Sequence, residues 1–250
     1  MILIKDLCHI YNPHRGADSI VGANNINLRI GDGEIVAVIG VSGAGKSTLL
    51  RCINRLLEPT SGEVFIDGGD ILHCSERKAQ AMRRKIGMVF QNFNLLQRSL
   101  VIHNVLMGRL GYISTLRSLL SSRAYGKDDK SLVLDCLRWV GIEDLAYRRV
   151  DALSGGQQQR VGIARALAQE PSIILGDEPV SNLDPTRARE IMNLLSEIHQ
   201  REGMTTVISL HNIEIAKEYA SRIIGLVKGE VVFDGKPAEL TDEKIVEIFA

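Results

Sequence analysis

The chain has 250 residues, 45% hydrophobic and 24% charged, and its 30 basic and 30 acidic side chains balance to a formal charge of +0. That length holds one large domain or two small ones, and the balance argues against a dedicated nucleic-acid binder, which carries a basic excess. The opening MILIKDLCHIY is too short an apolar run for a signal peptide, and no run of about 18 apolar residues could span a bilayer.

Short apolar strands dominate the first part of the chain. Residues 2–4, 26–30 and 34–39 read as strands separated by Gly, Asn and Asp turns. Residues 46–57 read as a helix that stops before Pro59, and 63–66 and Ile86–Phe90 as further strands. Arg83-Arg84-Lys85 reads as a solvated helix face. The character changes after Gln91. From about residue 99 to 140 apolar side chains recur at helical spacing, with Val133, Leu137 and Val140 on one face. Within this stretch, 108–130 is rich in Ser, Arg and Lys and reads as a helix-containing excursion with a solvated loop. Alternation then resumes: a helix over 157–169, a buried strand at 173–175, a helix over 187–201, a strand at 205–209 and a helix over 213–220. Strands alternating with helices imply a mostly parallel sheet covered on both faces, with a helical segment inserted in the middle and no internal repeat. Cys8, Cys52, Cys74 and Cys136 form no C-x-x-C and no zinc-ligand spacing. They read as reduced, mostly buried thiols in a reducing compartment.

Three segments carry chemistry. Gly40-Val41-Ser42-Gly43-Ala44-Gly45-Lys46-Ser47-Thr48 matches G-x-x-x-x-G-K-[ST]. Small residues let consecutive backbone N–H groups turn inward around a phosphate, and the helix that follows points its positive end at the same place. Lys46 is then able to reach β- and γ-phosphates, and the Ser47 hydroxyl to ligate Mg²⁺. The bland alternative is a glycine-rich turn without ligand, and the strand entering and helix leaving the loop count against it. No G-x-G-x-x-G follows a predicted strand, which excludes a dinucleotide fold. The second segment, Ile173-Ile174-Leu175-Gly176-Asp177-Glu178, delivers two carboxylates at the end of a buried strand. Adjacent strand side chains diverge, so one carboxylate serves a Mg²⁺ shell while the other faces an attacking water. The third, Leu153-Ser154-Gly155-Gly156-Gln157-Gln158-Gln159-Arg160, has an N-cap serine and two glycines before a helix, a second end suited to an anion. Read alone, it is simply a capped helix.

In this order the three segments resemble the ATP-binding cassette (ABC) family over nearly the whole chain, with Leu153–Arg160 in the place of its signature motif. The resemblance implies an α/β P-loop NTPase (RecA-like) fold: a mostly parallel core sheet, antiparallel N-terminal strands and an inserted helical subdomain. It implies residues 1–91 and 157–250 as the two parts of the ATP-binding core, and 92–156 as the subdomain with the signature loop. It implies ATP and Mg²⁺ as ligands, Tyr11 stacked on adenine, Gln91 sensing Mg²⁺ and water, Ser181-Asn182-Leu183-Asp184 as the D-loop, and His211 on the γ-phosphate. With it, Asp177 is expected to serve the metal and Glu178 the water. Two copies are expected to pair head to tail, with Ser154, Gly155, Gly156 and Gln157 of one completing the ATP site of the other. The further partners expected are transmembrane permease subunits and, indirectly, an external substrate-binding protein, with no nucleic acid. The location implied is peripheral, at the cytoplasmic face of the cell membrane. A narrower resemblance, carried by Phe90–Leu95, Asn104–Gly111, Ser114–Leu120 and Asp177-Glu178-Pro179-Val180, is to phosphonate-importer ATPases. Polar amino-acid importers share much of 91–96 and are the alternative within the family; a soluble non-transport ABC ATPase is the other.

Overall fold

Two sheets share one chain in the computed structural model, which describes residues 1–12, 20–112 and 125–250. The first is antiparallel, with strands β1 (Ile2–Tyr11), β2 (Ile20–Ile30), β4 (Ser61–Ile66) and β5 (Gly69–Asp70) in the order β2-β1-β4-β5. The second contains β3 (Ile35–Ile39), β6 (Ile86–Phe90), β7 (Ile173–Asp177), β8 (Thr205–Leu210), β9 (Arg222–Val227) and β10 (Glu230–Gly235) in the order β10-β9-β3-β8-β7-β6. Five of these six are parallel, and only β10 runs antiparallel to its neighbour β9. This is the α/β, mostly parallel architecture with antiparallel N-terminal strands that the family resemblance implies.

The parallel strands read as continuous apolar runs because both their faces are covered. Along β3, Val36 and Val38 point into a core shared with the antiparallel sheet. Ala37 and Ile39 point into the opposite core, built with helices. Helix α1 (Lys46–Ile53) lies between the two sheets, with Leu49, Leu50, Cys52 and Ile53 all buried. It is shorter than the expected 46–57; the chain turns after Ile53, and Arg55 adopts a left-handed φ of 47°.

β1 and β2 run well beyond the apolar segments legible in the sequence. Register shifts at 4/7, 7/9 and 9/10 mark bulges in their pairing. Each bulge re-aims the side chains and breaks the two-residue alternation that identifies a strand. At the first bulge β4 comes close: Gly62 has φ 104°, and a Cβ there would sit 2.6 Å from the Asp6 carbonyl oxygen. Gly62→Ala should therefore destabilise the fold by about 1–3 kcal/mol, the cost of one strained backbone position. Chemical denaturation of the purified protein measures it, and an unchanged midpoint would contradict the tight approach.

Between β6 and β7 the described residues form no named strand. They contain α3 (Val101–Leu106), a 3₁₀ segment (Met107–Tyr112), α4 (Lys127–Trp139), two short 3₁₀ turns and α5 (Gly155–Leu167). Val133, Leu137 and Val140 are fully buried, as their spacing predicts. Residues 113–124, which include the 114–120 part of the phosphonate-importer resemblance, lie outside the described residues. After β7 come α6 (Pro185–Glu202) and α7 (Ile213–Tyr219).

Five named elements are additional to those expected from the sequence: β5, α2 (Glu76–Arg83), β9, β10 and α8 (Asp242–Phe249). Only Ala79 of α2 is buried, so that helix has no apolar face to read. All four cysteines are free. Cys52 and Cys136 are buried, and burial pushes both thiols up to about 12; Cys8 and Cys74 are only half-buried.

Candidate functional site

Four parallel strands end on the same edge of the sheet, where ligands of such sheets bind. β3 ends just before Gly40, β6 just before Gln91, β7 at Asp177 with Glu178 next, and β8 just before His211.

The loop after β3 has the shape its glycines allow. Gly40, Gly43 and Gly45 all have positive φ, at 152°, 83° and 106°. A Cβ on Gly45 would come within 2.3 Å of the Gly22 carbonyl oxygen, whereas one on Gly43 would meet nothing within 4 Å. The loop is thus pinned from behind and open in front. Ala44 is buried and accepts a hydrogen bond from Gly229 N–H at 2.9 Å, whereas Val41 and Ser42 are exposed. Helix α1 starts at Lys46 with no acidic residue in its first turn and no side-chain cap. Its first N–H groups therefore remain available to an anion.

Lys46 is buried, and its Nζ donates to the carbonyls of Gly40 (2.9 Å) and Val41 (3.0 Å). The same Nζ lies 3.3 Å from Glu178 Oε1. Ser47 Oγ donates to Asp177 Oδ1 at 2.6 Å, and Arg51 Nη2 reaches Asp177 Oδ2 at 3.2 Å. The two carboxylates are therefore engaged by different partners. Glu178 itself has φ 47°, uncommon for a residue with a side chain. Thr48 Oγ1 and the Tyr11 hydroxyl are 3.0 Å apart, and the Tyr11 ring meets His9 edge-on at 4.4 Å between centroids. His9 is buried, among the described residues neither ring nitrogen is bonded to another side chain, and burial lowers its pKa.

Tyr11, Lys46, Ser47, Thr48, Gln91 and Glu178 line one cleft of about 400 Å³, together with the exposed apolar Ile20 and Val21. The Ser47 hydroxyl and the Gln91 amide on its wall, with the Asp177 carboxylate bonded to Ser47 behind them, are oxygen donors of the hard type that suits Mg²⁺. Among the described residues no group of three or more His, Cys, Asp or Glu side chains could hold a metal alone. Mg²⁺ commonly binds through one or two protein ligands plus phosphate and water, so a donor set of this size fits it.

Two sets of expected site residues lie elsewhere on the chain. His211 is exposed and lines a separate hollow with Val180, Ser181 and Leu183. Ser154, Gly156 and Gln157 border a small hollow of about 100 Å³ beside Arg160 and Arg187. There Ser154 and Gln157 form a reciprocal capping box: Ser154 N–H donates to Gln157 Oε1 at 2.9 Å, and Gln157 N–H to Ser154 Oγ at 3.4 Å. A Cβ on Gly155 would have nothing nearer than 3.8 Å, so this helix start is open to approach. A larger hollow, about 990 Å³ between α4 and the ends of α5 and α6, contains none of the expected site residues.

Several contacts at the site were not picked out by sequence reasoning. Arg51 follows Ser47 by four residues, and helical spacing alone places both on one face. Ser209 touches Asp177 only because β7 and β8 pair in register. Beyond Gln91, Arg165 on α5 donates to the carbonyls of Phe93 (2.8 Å) and Asn94 (2.5 Å), while Asn182 Nδ2 donates to the Gln91 carbonyl at 3.1 Å. Burial lowers the Arg165 pKa, and the carbonyl oxygens offset that desolvation.

Residues 23–181 match the family profile described as ABC transporter. The phosphonates import ATP-binding protein PhnC 2 of Halalkalibacterium halodurans is 52% identical, over 93% of this chain and 94% of its own length. The PhnC of Bacillus thuringiensis subsp. konkukian is 54% identical, over 91% and 88%. Among solved structures, the dimeric MJ0796, a bacterial ABC transporter cassette, superimposes with a TM-score of 0.82 at 38% identity, covering 95% of this chain and 99% of that one. The cbiO1 protein of Clostridium perfringens, part of the cbiONQ transporter complex, does so with a TM-score of 0.80 at 31% identity, over 98% and 92%. By profile, relatives and fold alike, the chain belongs to the ABC transporter family.

Proposed function

We propose that this chain is the ATP-hydrolysing subunit of an ABC importer, and that the importer takes up a phosphonate or a related phosphorus oxyanion. The observation that carries the ATPase reading is the direct engagement of the phosphate loop with the acidic pair: Ser47 on Asp177 at 2.6 Å and Lys46 beside Glu178 at 3.3 Å. The substrate class follows the name shared by relatives about half identical over most of the chain.

In this reading ATP occupies the cleft from Tyr11, against adenine, to Gly40–Thr48 around the β- and γ-phosphates. Lys46 leaves its own loop carbonyls for the phosphates. Ser47, Asp177 and Gln91 hold Mg²⁺, which neutralises charge on the phosphate oxygens. Glu178 accepts the proton of the attacking water, and His211 contacts the γ-phosphate. Ser154, Gly156 and Gln157 border a hollow separate from this cleft, and with Gly155 they serve the cleft of a second copy. Residues 92–156 form the subdomain that meets the permease, and 1–91 with 157–250 form the core. No helix among the described residues is long and apolar enough to cross a membrane. Attachment to the cytoplasmic face is therefore assigned to contacts with permease subunits, and an external binding protein acts on this chain only through them.

Reconstitution with the cognate membrane and binding proteins tests the whole reading. ATP turnover should rise on adding a phosphonate or phosphite and stay unchanged with amino acids. Stimulation by an amino acid alone would overturn the substrate class and leave the ATPase assignment standing.

A further inference from the structure

The register of β7 and β8 sets Asp177 directly opposite Ser209. Ser209 is fully buried, so its hydroxyl depends on protein partners. It accepts a hydrogen bond from the Glu178 N–H at 2.9 Å. On its donor side, Asp177 Oδ1 lies at 3.3 Å and the Gly176 carbonyl at 3.4 Å. One hydroxyl therefore holds the N–H of the peptide that joins the two acidic residues and also lies within reach of the Asp177 carboxylate itself.

That peptide unit needs holding. Glu178 is in the left-handed region at φ 47°, a state that persists in a residue with a side chain only when its surroundings over-determine it. The Glu178 carbonyl is held from the far side by Ser181, through N–H at 3.3 Å and Oγ at 3.0 Å. The Glu178 N–H is held by Ser209, a side chain and not a ladder carbonyl. Between these two anchors the backbone turns so that Asp177 faces Ser47 while Glu178 faces Lys46.

We propose that Ser209 is a positioning residue for ATP hydrolysis: through the Asp177–Glu178 peptide it keeps the metal-facing and water-facing carboxylates apart. The inference rests on Glu178 being the base, as proposed above. A serine suits the place because its hydroxyl accepts and donates at once. Alanine leaves a buried N–H without a partner. Cysteine is close to serine in size but accepts weakly, which separates hydrogen bonding from packing.

The test is single-turnover hydrolysis, ATP affinity and thermal melting for Ser209→Ala and Ser209→Cys, each made also in a Glu178→Gln background. Both single variants should lose about 10- to 100-fold in rate, the scale of one buried hydrogen bond expressed in the barrier. ATP affinity should stay within about threefold, because the lost contact acts on the chemical step. In the Glu178→Gln background the further loss should be clearly smaller than in the parent, since only the Asp177 side of the peptide is left to position. The proposal falls if Ser209→Ala hydrolyses at the wild-type rate while Glu178→Gln is slow. It falls equally if the same factor is lost in both backgrounds, or if ATP affinity drops in parallel with rate. A fast Glu178→Gln enzyme would instead remove the base assignment beneath it, so the two failures are distinguishable.

Discussion

Glu178→Gln should slow single-turnover ATP hydrolysis by about 10²–10⁴-fold, the usual contribution of a positioned general base, while ATP binding persists. Glutamine has the shape of glutamate, so the left-handed backbone, the N–H bond to Ser209 and the carbonyl bonds to Ser181 can all remain. Two things are lost. One is the proton acceptor. The other is the negative charge 3.3 Å from Lys46 Nζ, which competes with phosphate for that ammonium. The variant should therefore bind ATP at least as well as the parent and accumulate as an ATP-bound dimer, visible by size-exclusion chromatography. Hydrolysis at the wild-type rate would show that another group takes the proton.

Lys46→Ala is expected to act on binding itself. The ammonium is buried, ringed by the Gly40 and Val41 carbonyls and the Glu178 carboxylate. Removing one member of a buried, hydrogen-bonded charge pair costs about 2–5 kcal/mol, or roughly 30- to several-thousandfold in ATP affinity. The effect on the fold should be small. The carbonyls left behind border an open cleft and can turn to water, and Glu178 is itself partly exposed. Titration with nucleotide alongside a melting curve separates the two effects. Near-normal affinity would remove the loop from the binding site, and a collapsed melting temperature would make Lys46 a structural residue.

Much of the site was legible because its chemistry is local in sequence. The glycine loop, the strand entering it and the carboxylates after Leu175 are each contiguous; the loop and Glu178 line one cleft, and Asp177 is bonded to Ser47 on its wall. The parallel strands β6, β7 and β8 were legible to within two residues at each end, since their apolar runs are short and sharply bounded. The misses have physical causes. Bulges concealed most of β1 and β2, and α2 has no buried face beyond Ala79. Strand β9, in contrast, is an apolar run closed by a Lys228-Gly229 turn; that signal was present in the sequence. Ser209 and Arg165 act through pairings between distant segments. No spacing along the chain identifies such residues without the topology.

The burial of α1 between the two sheets has a thermodynamic consequence. Leu49, Leu50, Cys52 and Ile53 fix the helix axis, and the carbonyls of Gly22 and Leu226 crowd Gly45 and Gly40 from behind. The phosphate loop is thus ordered by the hydrophobic core and not by its ligand. Its loss of backbone entropy, about 1–2 kcal/mol per residue, falls on the folding equilibrium once and is not repeated at each turnover. A cradle rigid in advance binds with less ordering to offset, and it can release spent nucleotide without coming apart.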